Sequence, residues 1–135
     1  MFSKGKIMGY TIGDVAKITG MSSYTLRYYD KKGLLPFIDR DPSGRRHFKE
    51  HDFEFLQTIN CLKNTGMSLK EIKQFIELCQ KGDCTLNERL AFFNKHRKDV
   101  EKQLQEVQGY LDMVDHKIYY YTRACEAGTE DGIEC

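Results

Sequence analysis

Between Leu90 and Tyr121 apolar residues recur at alternating intervals of three and four: Leu90, Phe93, Val100, Leu104, Val107, Leu111, Val114, Ile118 and Tyr121, with Arg97 as the one break. A mean interval of 3.5 residues keeps one narrow stripe facing a single direction along a helix, and such a stripe is buried by another helix. No proline interrupts the run, so the pattern predicts a helix over about 86–122, opened by Thr85 and Glu88 as a capping box. The opposite face carries Lys95, Lys98, Lys102, Gln105, Glu106 and Asp112, which belong in water. A lone helix leaves the stripe wet. The economical remedy is an identical chain, giving a homodimer joined through Leu90, Phe93, Val100, Leu104, Val107, Leu111, Val114 and Ile118.

The preceding residues read as a small head. A chain of 135 residues has room for one compact domain plus this extension, and 16 Phe and Tyr can fill a modest core. Thr11 and Asp14 have the spacing of a capping box before Val15, Ala16 and Ile18, predicting a helix that ends near Thr19. Gly20 then turns the chain, and Ser22 caps a second helix with Leu26 and Tyr29 inward. Two short helices joined at a glycine form a candidate helix-turn-helix. Extended segments at 34–38 and 46–48, flanking the turn-forming run from Asp39 to Gly44, predict a small β-ribbon, or wing. Phe53, Leu56, Ile59 and Leu62 mark a third helix, and Ser68 with Glu71 opens a fourth carrying Ile72, Phe75, Ile76 and Cys79. The expected architecture is mainly α: a winged helix-turn-helix head at 8–80, a junction and coiled-coil helix at 81–122, and an acidic loop-like tail at 123–135.

Bulk charge is nearly balanced at +1, but its distribution is uneven. From Lys17 to Lys49 there are eight bases against three acids; from Cys61 onward, 11 bases against 13 acids. The basic stretch coincides with the helix-turn-helix and wing, the footprint of a nucleic-acid-binding module. Arginine suits this task because its planar fork donates two hydrogen bonds at once to phosphate or guanine. A coiled-coil adaptor that binds no DNA, the alternative from another class, has no need of this concentration. The longest apolar run, Leu34 to Ile38, falls far short of a membrane span, and the N-terminus has no apolar segment after its lysines, so a cytoplasmic protein with no membrane partner is expected.

Several motifs together carry a resemblance: 10–16 (YTIGDVA), 25–30 (TLRYYD), 33–36 (GLLP), 44–48 (GRRHF) and 66–72 (GMSLKEI). In order and spacing they resemble the MerR family of transcriptional regulators over about residues 8–122. The resemblance implies a winged-helix head, a long helix pairing antiparallel with its mate, and action on an inverted repeat in double-stranded promoter DNA. It further implies promoters with an overlong spacer, which the activated dimer distorts so that RNA polymerase can use both elements. By position, Ser22, Ser23, Tyr24, Arg27 and Tyr28 fall on the recognition helix and Arg40, Arg45 and Arg46 on the wing. Arg45 stands where many members have an aromatic residue, which adds charge at the wing.

The input signal is read from the cysteines. Five thiols without a secretory signal point to free cysteines or metal ligands instead of disulfides. The stretch from Asn60 to Gly66 resembles the aldehyde- and electrophile-responsive branch, which makes Cys61 the candidate sensor; an inert buried thiol is the alternative. Its place late in a helix, by the negative end of the dipole, is unfavourable for a thiolate, and a base such as Lys63 must offset that. Cys84, Cys125 and Cys135 resemble the ligand arrangement of the metal-sensing branch, with Cys84 of one chain near the other two cysteines of its mate. They would suit zinc or another soft ion, although no cofactor is otherwise expected. Only about a dozen residues follow the long helix, too few for a separate ligand-binding domain. His47, Glu50 and His51 fit a zinc-peptidase order, but the segment straddles a strand and a helix, so no enzyme is expected. His96 and His116 stand beside the seam without a ligand cluster.

Overall fold

The structure is a computed structural model that describes residues 9–134. Helices α1 (Ile12–Thr19) and α2 (Ser23–Lys31) are followed by strands β1 (Asp39–Arg40) and β2 (Arg46–His47), then α3 (Glu50–Asn64), α4 (Leu69–Lys81), a 3₁₀ turn (Asp83–Thr85) and α5 (Leu86–Ala127). The chain divides into two compact units that meet at Arg89 and Leu90.

Local chemistry sets the helix starts. The Asp14 N–H donates to Thr11 Oγ1 at 3.1 Å while the Thr11 N–H donates to Asp14 Oδ2 at 3.0 Å, so both members of the box are engaged. Ser22 and Ser68 each accept a backbone N–H three residues on, from Thr25 and Glu71. In α3 the buried Asp52 carboxylate accepts the Lys49 N–H at 2.7 Å. Val15, Leu26, Leu34, Phe48, Leu56, Ile59, Ile72 and Ile76 are almost fully buried and form the core of the head.

The wing differs from its sequence reading. The first strand is not 34–38 but Asp39–Arg40, inside the expected turn, pairing antiparallel with Asp39 opposite His47 and Arg40 opposite Arg46. Leu34 and Leu35 instead enter the core, and the Ile38 N–H closes a turn onto Leu35 O across Pro36, whose fixed φ favours that turn. Tyr10 and Phe48 exchange both backbone hydrogen bonds, at 2.8 and 2.9 Å, stitching the segment that leads into α1 to the end of the wing.

The compact unit that holds the head runs to Arg89, and within it the start of α5 is tied to the end of α4. Thr85, expected to cap α5, turns its hydroxyl the other way: it lies 2.6 Å from Leu78 O and 2.9 Å from Gly82 O, both carbonyls at the α4 terminus. Arg89 adds an Nη2 donor to Gly82 O at 2.6 Å and an Nε donor to Thr85 Oγ1 at 3.0 Å. The exposed end of α4 would otherwise leave those carbonyls without donors, and Thr85 is buried where it meets them.

α5 runs to Ala127, past the expected end at 122, so Cys125 is helical and not in a loop. No proline lies within α5 and Gly109 is tolerated inside it; Gly128, which adopts φ of +74°, ends the helix. The Thr129 N–H then donates to Ala124 O, and Tyr120 donates its hydroxyl to Glu130 Oε1 at 3.0 Å.

Candidate nucleic-acid interface

The second helix presents one face to solvent. Leu26 and Tyr29 turn into the core, which leaves Tyr24, Arg27 and Tyr28 on the outer face at helical spacings of three and four. Tyr24 is 78% exposed, so it is not a core ring, and Tyr28 lies at the edge with Lys32 Nζ 5.6 Å from its ring centre. Ser22 is held at the start of the helix, where its oxygen accepts the Thr25 N–H, and Ser23 is half-buried.

Beside this helix stands the wing, whose turn is built around Asp41. Its Oδ1 accepts the Ser43 hydroxyl at 2.7 Å and the backbone N–H groups of Ser43 and Arg45 at 3.0 and 2.9 Å, and Oδ2 lies 3.1 Å from His47 Nε2. Above all the Ser43 hydroxyl, then the Arg45 amide, hold this carboxyl well below the usual carboxylate range. The organised turn leaves the Arg45 side chain exposed.

Arg40 and Arg46 are placed differently from Arg45. Both meet Oδ2 of Asp30 in the last turn of α2, Arg40 through Nη2 at 2.5 Å and Arg46 through Nε at 2.6 Å. Arg40 also donates from Nη1 to Gly44 O at 3.0 Å. Two of the three wing arginines expected to meet DNA therefore carry an internal carboxylate.

Between α2, the wing and the start of α1 lies an open cleft of about 490 Å³, lined by Thr11, Ile12, Arg27, Asp41, Ser43, Gly44, Arg45, Arg46 and His47. Arg27 and two wing arginines thus meet beside a helix N-terminus, where positive side chains and the positive end of a helix dipole favour an anion such as a nucleic-acid phosphate. Sequence reasoning missed Asp30 and the contribution of Thr11 and Ile12. An acid in the last turn of a helix opposes the dipole, and that anomaly is the one signal that pointed to Asp30.

Cys61, Cys84 and Cys125 are exposed. Cys84 Sγ lies 3.5 Å from Lys81 O, while Cys79 is half-buried and burial pushes its thiol pKa up. Cys135 lies outside the described residues, among which no group of three or more His, Cys, Asp or Glu is arranged to hold a metal ion. His47 sits on β2 and His51 in the first turn of α3, with the buried Phe48 between them, so the zinc-peptidase order does not fall on one helix. On α5 the seam residues Leu90, Phe93, Leu104, Val107, Leu111, Val114 and Ile118 are exposed, and Val100 is intermediate. No helix among the described residues is long and apolar enough to cross a membrane.

Comparison with known proteins gives a consistent result. Residues 10–79 match the MerR HTH family of regulatory proteins, and residues 54–116 match the MerR DNA-binding family. An uncharacterised HTH-type transcriptional regulator of Haemophilus influenzae is 46% identical over 122 residues, spanning 90% of each chain. A crystal structure of HiNmlR, described as a MerR family regulator lacking the sensor domain and bound to promoter DNA, is similar with a TM-score of 0.84 and 44% identity, covering 93% of this chain and all of that one. A MerR family regulator from Bacillus thuringiensis is similar with a TM-score of 0.77 and 41% identity, covering 83% of this chain and 98% of that one.

Proposed function

The chain belongs to the MerR family of DNA-binding transcriptional regulators, and from that premise we propose that it binds an inverted repeat in promoter DNA as a homodimer, with α2 in the major groove and the wing on the flanking backbone. The observation that carries this reading is the cleft between α2 and the wing, where Arg27 and Arg45 converge on a helix N-terminus. Arg27, on the outer face of α2, reads a base edge, and Arg45 meets phosphate. The dimer distorts an overlong promoter spacer so that RNA polymerase can engage both elements. The test is titration of the full chain against an inverted-repeat duplex selected from a randomised library, and against random duplex of the same length, across a salt series. Specific binding that weakens steeply with salt supports the reading. Equal affinity for both duplexes overturns it.

The finer part of the proposal concerns the signal. Cys61 is an exposed thiol on α3, and α3 packs against both α1 and α4 of the head. A covalent adduct with a reactive carbonyl at this site would shift the packing from which the recognition helix is held. Peptide mapping by mass spectrometry after exposure to formaldehyde, methylglyoxal, peroxide, Zn²⁺ and Hg²⁺, alongside transcription from the adjacent promoter, identifies the input. A C61A variant should lose the response to the carbonyl. If C61A responds like the parent while C84A or C125A is blind to a metal, metal sensing replaces this assignment.

A further inference from the structure

Asp30 is the one acidic residue of α2, and it occupies the last turn, where the helix dipole disfavours a carboxylate. Its side chain is only 14% exposed, and one oxygen accepts both Arg40 and Arg46. These two arginines face each other across the wing, since Arg40 is the register partner of Arg46. Like charges directly opposite on paired strands repel, so the wing as built requires an anion between them. Asp30 supplies it from a residue 10 positions from one arginine and 16 from the other, thereby joining the recognition helix to both strands of the wing.

We propose that Asp30 is a positioning residue for DNA recognition, which fixes the wing against α2 and withholds Arg40 and Arg46 from indiscriminate phosphate binding. The inference rests on the DNA-binding reading above and adds how the interface discriminates. Non-specific affinity comes almost wholly from cations that neutralise phosphates, whereas specificity comes from holding side chains in register with base edges. A carboxylate that occupies two guanidinium groups lowers the first contribution and rigidifies the second. The Arg45 side chain is exposed and forms no ion pair among the described residues, Asp41 meeting only its backbone N–H, so it is the wing cation left to meet the backbone.

The test uses the full chain, a selected inverted-repeat duplex and a random duplex of equal length, with binding measured at several salt concentrations. D30N should bind random duplex several-fold more tightly than the parent and steepen the log–log salt slope by about one to two. Its preference for the selected duplex should fall about tenfold. The double variant D30N/R40Q should return the slope towards that of the parent while the preference stays low, which separates charge from geometry. Weaker binding of D30N to both duplexes with no change of slope would mean a structural role alone and overturns the proposal, as does an unchanged preference. Should D30N fail to fold, R40Q and R45Q decide the matter: R40Q should lower the salt slope by less than half as much as R45Q, and an equal loss overturns the proposal. A parent that shows no preference for any duplex defeats the DNA-binding reading itself, and is recognised before any variant is measured.

Discussion

The head and the long helix treat their apolar residues in opposite ways. In the head, Val15, Leu26, Leu34, Phe48, Leu56, Ile59 and Ile72 have essentially no exposed surface, within about 80 described residues. The 42 residues of α5 bury only His96 and Ala124, while Leu90, Leu104, Val107 and Ile118 each remain about 60% or more exposed, close to 60% in the case of Ile118. The head is therefore self-sufficient as a folding unit, whereas the helix carries its hydrophobic stabilisation in a form that another chain must complete.

The largest effects should come from breaking that completion. Replacing Leu104 and Leu111 by Glu places charge in the seam, and should convert the dimer to monomer and abolish binding to an inverted repeat; light scattering and a gel shift check both. The buried head should be little affected, because neither residue belongs to its core, whereas the far-ultraviolet circular dichroism should lose helical signal as the unpartnered α5 frays. The converse experiment attacks the head: Phe48→Ala removes a fully buried ring and should cost about 3–5 kcal/mol in denaturant unfolding. Arg27→Ala leaves both regions folded and should cost about 1–3 kcal/mol in binding to a selected duplex, measured by titration.

Two smaller perturbations sharpen the comparison, one at the root of α5 and one within the head. Thr85→Val keeps the shape of the buried side chain but withdraws a donor from the carbonyls at the end of α4, and should lower stability by about 1–3 kcal/mol in thermal or denaturant unfolding. The Asp41 carboxyl is held well below its ordinary range by Ser43, the Arg45 amide and His47, so its contribution is present above the unfolded carboxylate pKa and is lost as pH falls through the folded one. Acid unfolding of the D41N variant should accordingly show a shallower loss of stability below about pH 4 than the parent, with the difference confined to the head.

What could be read in the sequence, and what could not, follows the reach of the interactions. Thr11, Ser22 and Ser68 act on residues three positions away, and the seam of α5 is a periodicity within one helix, so local spacing revealed both. Tyr24, Arg27 and Tyr28 fall on the exposed face of α2 for the same reason. The position of β1 was not legible, because it depends on Asp39 finding His47 across the turn while Leu34 and Leu35 are drawn into the core. Asp30 was missed, and Thr85 was read as the cap of α5, because each acts on groups brought near by the fold: two wing arginines in one case, the α4 carbonyls behind it in the other. The tail reading failed at Cys125 because acidic composition says little about a helix end, whereas the glycine at 128 marks it through its backbone geometry.

The root of α5, where Arg89 and Thr85 grip the carbonyls of α4, has a mechanical consequence. At a rise of 1.5 Å per residue, 42 residues make an unbroken rod of about 60 Å, and a rod of that length is a lever. At that length, each degree of bend near one end of the helix displaces the other end by about 1 Å. The reach of such a bend is thus set by the length of the helix alone, and every residue added to α5 would extend it by about 1.5 Å.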